Sequence, residues 1–410
     1  MAKKRQKSLT DVKVESVHCH FLDSGSFSLW TRAEVYGKEN GCGEWMFYET
    51  DEFYEYIDNY AEFVKTYGKG VDMCANVDVL PFRNKGHQPP KGMSSHALSY
   101  RNLKLLEERG INPVPVVHLN ANIDIWLRRY IEEGYPIVGL GGLVGSLMTD
   151  NCRKWVSRCF DMICPNRKPV IKVHGFGVTA HEYLLRYPWW SVDSTTWTKK
   201  GGFGTIFMPK KRQGEYIFTQ QDLIRLGLPV ENWAKTCGPW SVFISEESPQ
   251  RFQAGSMHYD KLKPAEQGVI RDWLDHINVP LGTNGGEWDG VITDHNQRRI
   301  VNLRFFEILR EKLPTIKDAR WQPPPKIGFG LHSTNKLKKP KTKAKITVPQ
   351  TDKPIIFYSG CSSIASQPEV VLGTEANVML TYHDFHKKNK PDSRFRRILE
   401  ARGHKFDASK

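Results

Sequence analysis

Short runs of β-branched and aromatic residues alternate along the first half of the chain with longer stretches whose apolar positions recur at helical spacing. The strand-like runs are Val12 to Phe21, Val71 to Leu80, Val114 to Leu119, Ile137 to Val144, Val170 to Val173 and Trp189 to Val192. Between them, Asp51 to Tyr67, Ser95 to Arg109, Asp124 to Glu133 and Asn151 to Ile163 place apolar groups three and four residues apart, the mark of amphipathic helices. Near-continuous apolar strands that alternate with helices predict a parallel sheet buried on both faces. Polar residues and glycines follow many successive strands rather than one switch point, so the pattern favours a closed (β/α)₈ barrel over an open doubly wound sheet.

Beyond residue 193 the pattern becomes irregular. Lys199 to Gly204 and Met208 to Arg212 read as loop and hairpin, while Gln220 to Leu226, Pro264 to His276 and Asn296 to Lys312 resume helical spacing and are expected to complete the barrel. Pro323-Pro324-Pro325 marks a break, and Lys336 to Lys345 is a Lys-rich, Pro-interrupted stretch with little capacity to fold. The expected organisation is a basic arm over 1–10, a barrel with irregular insertions over 11–325, a linker over 326–350 and a small basic α/β module over 351–410. In that module Ile355 to Tyr358 and Val378 to Tyr382 read as strands, and Arg394 to Arg402 as a basic helix.

Charge sharpens this division. The net charge is +14, yet residues 326–410 hold 17 Lys and Arg against 7 Asp and Glu, and residues 1–10 hold four basic groups and no acid, so the intervening segment is neutral. A neutral body with basic arms fits a polyanionic partner. No apolar run approaches the ~20 residues that cross a bilayer, and the basic start lacks a signal-like apolar stretch, so no membrane association and a cytoplasmic location are expected. Eight scattered cysteines without a Cys-x-x-Cys pair indicate neither a disulfide framework nor a cysteine-rich zinc site.

The candidate chemistry lies at strand ends. Asp23 stands in Leu22-Asp23-Ser24-Gly25-Ser26-Phe27 and Asp193 in Trp190-Ser191-Val192-Asp193-Ser194; between them come Asn76-Val77-Asp78, Val116-Val117-His118, Gly141-Gly142-Leu143-Val144-Gly145 and His174-Gly175-Phe176-Gly177. Two carboxylates placed at one mouth of a barrel suit nucleophilic plus acid/base work. With the pieces in this order, over residues 11 to about 215, the chain resembles the tRNA-guanine transglycosylase superfamily, and most closely its deazapurine DNA transglycosylase branch.

That resemblance implies exchange of guanine in a nucleic acid for a free 7-deazaguanine base through a covalent glycosyl-enzyme. It implies Asp193 as nucleophile, Asp23 as general acid/base, and Asp78, His118, His174, Ser24, Gly141, Gly142 and Leu143 around the base. Asp78 would accept the N1–H and N2 amine donors of guanine, and the backbone at Gly142 and Leu143 would meet O6. His118 and His174 stand where the tRNA enzymes carry glutamine and a methionine that packs on the base. The zinc-binding Cys-x-Cys-x-x-Cys segment of those enzymes has no counterpart, so neither metal nor cofactor is expected. The missing segment and the Ser-rich first motif favour DNA over tRNA, and relatives often pair, which allows a homodimer. If the chain is phage-encoded, the host cytoplasm is its expected setting.

Trp189, Trp190 and Trp197 could stack on bases, and Lys199, Lys200, Lys210, Lys211 and Arg212 could hold phosphates. Neighbouring Trp189 and Trp190 point to opposite faces of a strand, so at least one should pack in the core. Two other readings are open. A metal-dependent amidohydrolase-type barrel would use His18, His20, His118, His174 and Asp193 as ligands. A non-catalytic nucleic-acid-binding protein would use the basic arms alone.

Overall fold

The computed structural model describes residues 19–67, 71–83, 86–321, 337, 346–359 and 378–381, which form two compact units. The larger contains residues 19–194 with the described parts of 314–367 and 377–410; the smaller is built from residues 195–313.

The larger unit is mixed α/β around a parallel sheet. Its strands are β1 (His20–Asp23), β2 (Met73–Cys74), β3 (Val116–His118), β4 (Ile137–Gly141), β5 (Lys172–Gly175) and β6 (Ser191–Ser194). Between them run α1 (Ser26–Glu39), α2 (Asp51–Tyr67), α3 (Ser95–Glu108), α4 (Trp126–Glu132), α5 (Asp150–Ile163) and α6 (His181–Arg186). All five residues of β4 are buried, as a strand covered on both faces requires. Helix α5 buries Cys152, Trp155, Val156, Cys159, Phe160 and Ile163 along one stripe, and Thr149 caps it by accepting the Cys152 N–H at 3.2 Å.

The strand order departs from the expected division of the chain. Residues 355–359 and 378–381, expected in a separate C-terminal module, are strands of this same sheet, whose order is β2-β1-(378–381)-(355–359)-β6-β5-β4-β3. Ile355 aligns with Ser191 and Phe357 with Asp193, while Val378 aligns with His20, every pair parallel. At the other end of that order, the Asn76 N–H donates to the Val114 carbonyl at 3.0 Å and the Val114 N–H to the Cys74 carbonyl at 2.8 Å, linking the β2 and β3 segments. The strand expected over 12–21 is described only from residue 19, and the basic arm and the helix at 394–402 lie outside the described residues.

Alternate residues of the strands meet in one core. Cys19, Phe21, Met73, Ala75, Val114, Ile137, Trp190, Ile355 and Phe357 pack together, with Ile316, Ile346 and Val348 against them. Ile346 and Val348, part of the expected linker, are half-buried against this core and so have a folding role, each worth less than the about 1.5–3 kcal/mol of full burial. Both neighbouring tryptophans are interior: Trp190 lies in this core and Trp189 is buried with its indole N–H on the Tyr183 carbonyl at 3.0 Å. Neither offers a face to a nucleic-acid base. The alternation argument holds for the strand proper, but that strand begins at Ser191, after the pair.

In the smaller unit, the segment expected as a loop around Lys199 is helix α7 (Thr196–Gly202), followed by β7 (Thr205–Met208), β8 (Lys210–Arg212) and β9 (Glu215–Ile217). Helices α8 (Gln220–Arg225) and α9 (Trp233–Cys237), β10 (Trp240–Phe243), α10 (Pro264–His276) and α11 (His295–Lys312) complete it. Strands β8 and β9 form the expected hairpin, turning at Gln213 and Gly214, both at positive φ. Among the described residues these strands pair only with one another, β7 with β10 and β8 with β9, and residues 199–312 do not extend the parallel sheet. Among the described residues no helix is long and apolar enough to cross a membrane.

Candidate functional site

In parallel strands all carboxyl ends lie at one edge of the sheet, and that edge collects the residues singled out by the motifs. Asp23 ends β1, His118 ends β3, Gly141 ends β4, and Asp193 is the third residue of the four in β6. Asp23 follows Cys19 and Phe21 at period two and so shares their core-facing side, where it is half-buried.

The turn after β1 is sharp because Gly25 takes φ 77°, which lets α1 begin at once. This brings Ser24 and Ser26 together and sets Ser26 against the segment after β2. The Ser26 hydroxyl donates to Asp78 Oδ1 at 2.9 Å, Ser24 Oγ lies 2.8 Å from Ser26 Oγ, and Asp78 Oδ2 pairs with His118 Nε2. All four side chains are buried. The Tyr56 hydroxyl holds the Ser24 carbonyl at 2.6 Å. Burial, with the Cys74 thiol and then Asp23 adding to it, holds the neighbouring Tyr60 phenol well above its usual range.

The His118 ring rests on glycine. A methyl group on Gly141 would stand 2.9 Å from both His118 Nδ1 and Cε1, so that position must lack a side chain. Gly142 turns at φ 69°, also open only to glycine at little cost. Among the described residues no backbone hydrogen bond engages the N–H of Gly142 or Leu143, whereas the Leu143 side chain is fully buried. The other nitrogen of His118, Nδ1, is buried without a partner there. His96, in the first turn of α3, lies close by; burial, with the neighbouring His118 adding to it, pushes its pKa down to about 4.

A second cluster surrounds Asp193. Its Oδ1 accepts the Gly177 N–H at 2.8 Å and lies 3.5 Å from His174 Nε2, a contact longer than a well-formed hydrogen bond. His174 Nδ1 meets the Ser191 hydroxyl at 2.8 Å. His174 is 0% exposed, edge-on to Phe21 and Phe176 with ring centroids 4.7 and 4.4 Å away, and burial lowers its pKa against the opposing pull of Asp193. An imidazole boxed in this way lies beside Asp193 without a well-formed hydrogen bond to it. It does not present the flat face expected of a residue packed on a base.

The expected phosphate and base contacts of the smaller unit are placed differently from one another. Trp197 is 4% exposed and its carbonyl accepts from Asn302 at 3.0 Å, so its indole is core, contrary to the stacking role. Lys199 and Lys200 are exposed at the end of α7, where cations suit the helix dipole. Lys211 pairs with Asp272 at 2.9 Å, and partial burial lowers the pKa of Lys210; Arg212 is exposed on the hairpin. Of the residues the metal reading would use, His18 lies outside the described residues; among those described no group of three or more His, Cys, Asp or Glu is arranged to hold an ion.

Sequence reasoning passed over Ser26, Ser191 and Gly177 as contributors, although each stands inside or beside a motif already noted. Their roles depend on which strand lies next to which. Compared with protein-family models, curated proteins and solved structures, the chain matches none of them.

Proposed function

We propose that this protein is a transglycosylase that exchanges guanine in DNA for a free 7-deazaguanine base, and that its larger unit is a (β/α)₈ barrel. The eight-strand order, with backbone hydrogen bonds between the β2 and β3 segments at its two ends, supports the barrel. The observation that carries the function is the gathering of Asp23, the Asp78–His118 pair, the Gly141–Gly142 turn and Asp193 at the carboxyl ends of the strands. Ligand chemistry in such folds resides at that edge.

In this reading the Asp193 carboxylate attacks C1′ of the target nucleotide as the C1′–N9 bond breaks, and Asp23, as the acid, supplies the proton that the leaving guanine takes up. The incoming 7-deazaguanine gives its N9 proton back to Asp23 and attacks C1′, which releases Asp193 as carboxylate. Bonds and charges balance over the two steps. The Gly177 N–H holds Asp193 in place, with the buried His174 packed beside it. The target nucleotide has to leave the stack first, at a cost of a few kcal/mol in a duplex. The exposed Lys199, Lys200 and Arg212 suit a phosphate backbone, which does not by itself separate DNA from tRNA.

Nucleoside mass spectrometry on DNA and tRNA, each incubated with the protein and 7-cyano-7-deazaguanine, tests the proposal. Deazaguanosine in DNA that disappears with Asp193→Ala is the expected result. Product in tRNA alone moves the substrate to RNA, and a variant that still exchanges bases removes Asp193 from the chemistry. DNA binding that survives Asp193→Ala while the intact protein exchanges nothing leaves a binding protein.

A further inference from the structure

The hydrogen-bond directions around Asp78 follow from its chemistry. A carboxylate only accepts, so Ser26 Oγ–H and His118 Nε2–H both point at it, one on each oxygen. Ser26 has then spent its single proton, and the 2.8 Å contact to Ser24 is filled by the Ser24 hydroxyl donating to Ser26. The chain therefore runs Ser24 to Ser26 to Asp78, met from the other side by His118. With the proton on Nε2, a neutral His118 leaves Nδ1 as a bare acceptor, and that atom is the one buried without a partner. It faces the Gly141–Gly142 turn, where the missing Cβ atoms would lie 2.9 and 3.4 Å away.

We propose that His118 Nδ1 is the specificity-determining acceptor of this site, that Ser24, Ser26 and Asp78 are positioning residues that lock its tautomer, and that the ligand is a heterocycle with a lactam edge. On such an edge an N–H donor stands next to a carbonyl: the N–H goes to His118 Nδ1 and the carbonyl oxygen to the N–H groups at Gly142 and Leu143. This deepens the base-exchange reading and rests on it. It also moves the reading of the base from Asp78, whose two oxygens already have protein donors, to His118. Guanine, 7-deazaguanine and 7-deazahypoxanthine carry the lactam edge; 7-deazaadenine has the donor and acceptor reversed and would leave Nδ1 facing a lone pair.

The lock and the recognition are read separately. Long-range ¹⁵N–¹H correlation spectra of the full chain report the tautomer of His118 without reference to catalysis. Expected is an unprotonated Nδ1 in the wild type and a mixture of tautomers in Asp78→Ala, with Ser26→Ala intermediate. A wild type with Nδ1–H dominant overturns the inference even if exchange is observed. A bare Nδ1 that Asp78→Ala unlocks upholds the lock even if no polymer is modified, and then it is the exchange reading that falls.

Calorimetry with the free bases tests recognition. 7-Deazaguanine and 7-deazahypoxanthine should bind within about tenfold of each other, and 7-deazaadenine at least about a hundredfold more weakly, because a buried acceptor left unpaired is costly. His118→Phe should abolish the discrimination. Equal binding of 7-deazaadenine by the wild type refutes the acceptor role. So does additivity of Asp78→Asn and His118→Gln in lactam affinity, because residues that act through one atom must couple.

Discussion

Replacing Gly177 by alanine tests how the backbone next to the proposed nucleophile is held. Gly177 sits at φ 73°, donates its N–H to Asp193 Oδ1 at 2.8 Å, and would place a Cβ 2.2 Å from Val144 Cγ2. Two relaxations are open to the variant. The backbone can keep its left-handed conformation, which costs an L-residue about 1–2 kcal/mol. Alternatively it can rotate to negative φ and withdraw the N–H from Asp193, forfeiting a charge-assisted hydrogen bond of about 1.5–3 kcal/mol. The first path is cheaper, because Val144 is 75% exposed and can swing into solvent. Gly177→Ala should therefore lose about 1–2 kcal/mol, seen as a fall of roughly 2–8 °C in the melting temperature of its unit. Exchange should drop by less than tenfold, since the N–H stays on Asp193. Thermal unfolding of Gly177→Ala beside Gly177→Ala/Val144→Ala checks the division: trimming Val144 relieves the clash and leaves the φ strain. A single variant as stable as the wild type would sink the argument, and full recovery in the double variant would show that the clash, rather than the φ angle, sets the cost.

Asp193→Asn keeps an oxygen for the Gly177 N–H, so unfolding free energy should change by less than about 1 kcal/mol while base exchange falls at least about a thousandfold, a split read by urea titration beside product analysis. Trp197→Ala removes a core indole and should destabilise its unit by about 3–5 kcal/mol with the DNA affinity of the folded protein unaltered; weaker binding by fluorescence anisotropy without loss of stability would return Trp197 to the interface. Acid should weaken the larger unit. Both His96 and His174 have folded-state pKa values below the unfolded ~6.5, so the unfolded chain takes up protons that the folded chain refuses. The stability is intact above pH ~6.5 and falls as pH drops towards 4, with His96 contributing up to about 3 kcal/mol; a urea midpoint in His96→Gln that drops between pH 7.5 and 5 as steeply as the wild type's would refute this assignment.

The sequence by itself determined many of the local elements, though not α7, which its pattern marks as loop. The boundaries of α2 and α10 match their patterns residue for residue, and α3, α5 and α11 nearly so, because helix formation and capping depend on neighbours within a turn or two. It also located the polar strand ends, since period-two alternation sets which side chains reach the end of a buried strand. What only the tertiary structure decided was adjacency. The placing of residues 355–359 and 378–381 between β6 and β1, the burial of Trp189, Trp190 and Trp197, and the separation of residues 195–313 as a unit of their own all turn on partners distant in the chain. The roles of Ser26 and Gly177 arose in the same way. Ser26 meets Asp78 across 52 residues and Gly177 meets Asp193 across 16, contacts that a hydrophobic pattern leaves unmarked because hydrogen bonds to polar atoms carry no periodicity.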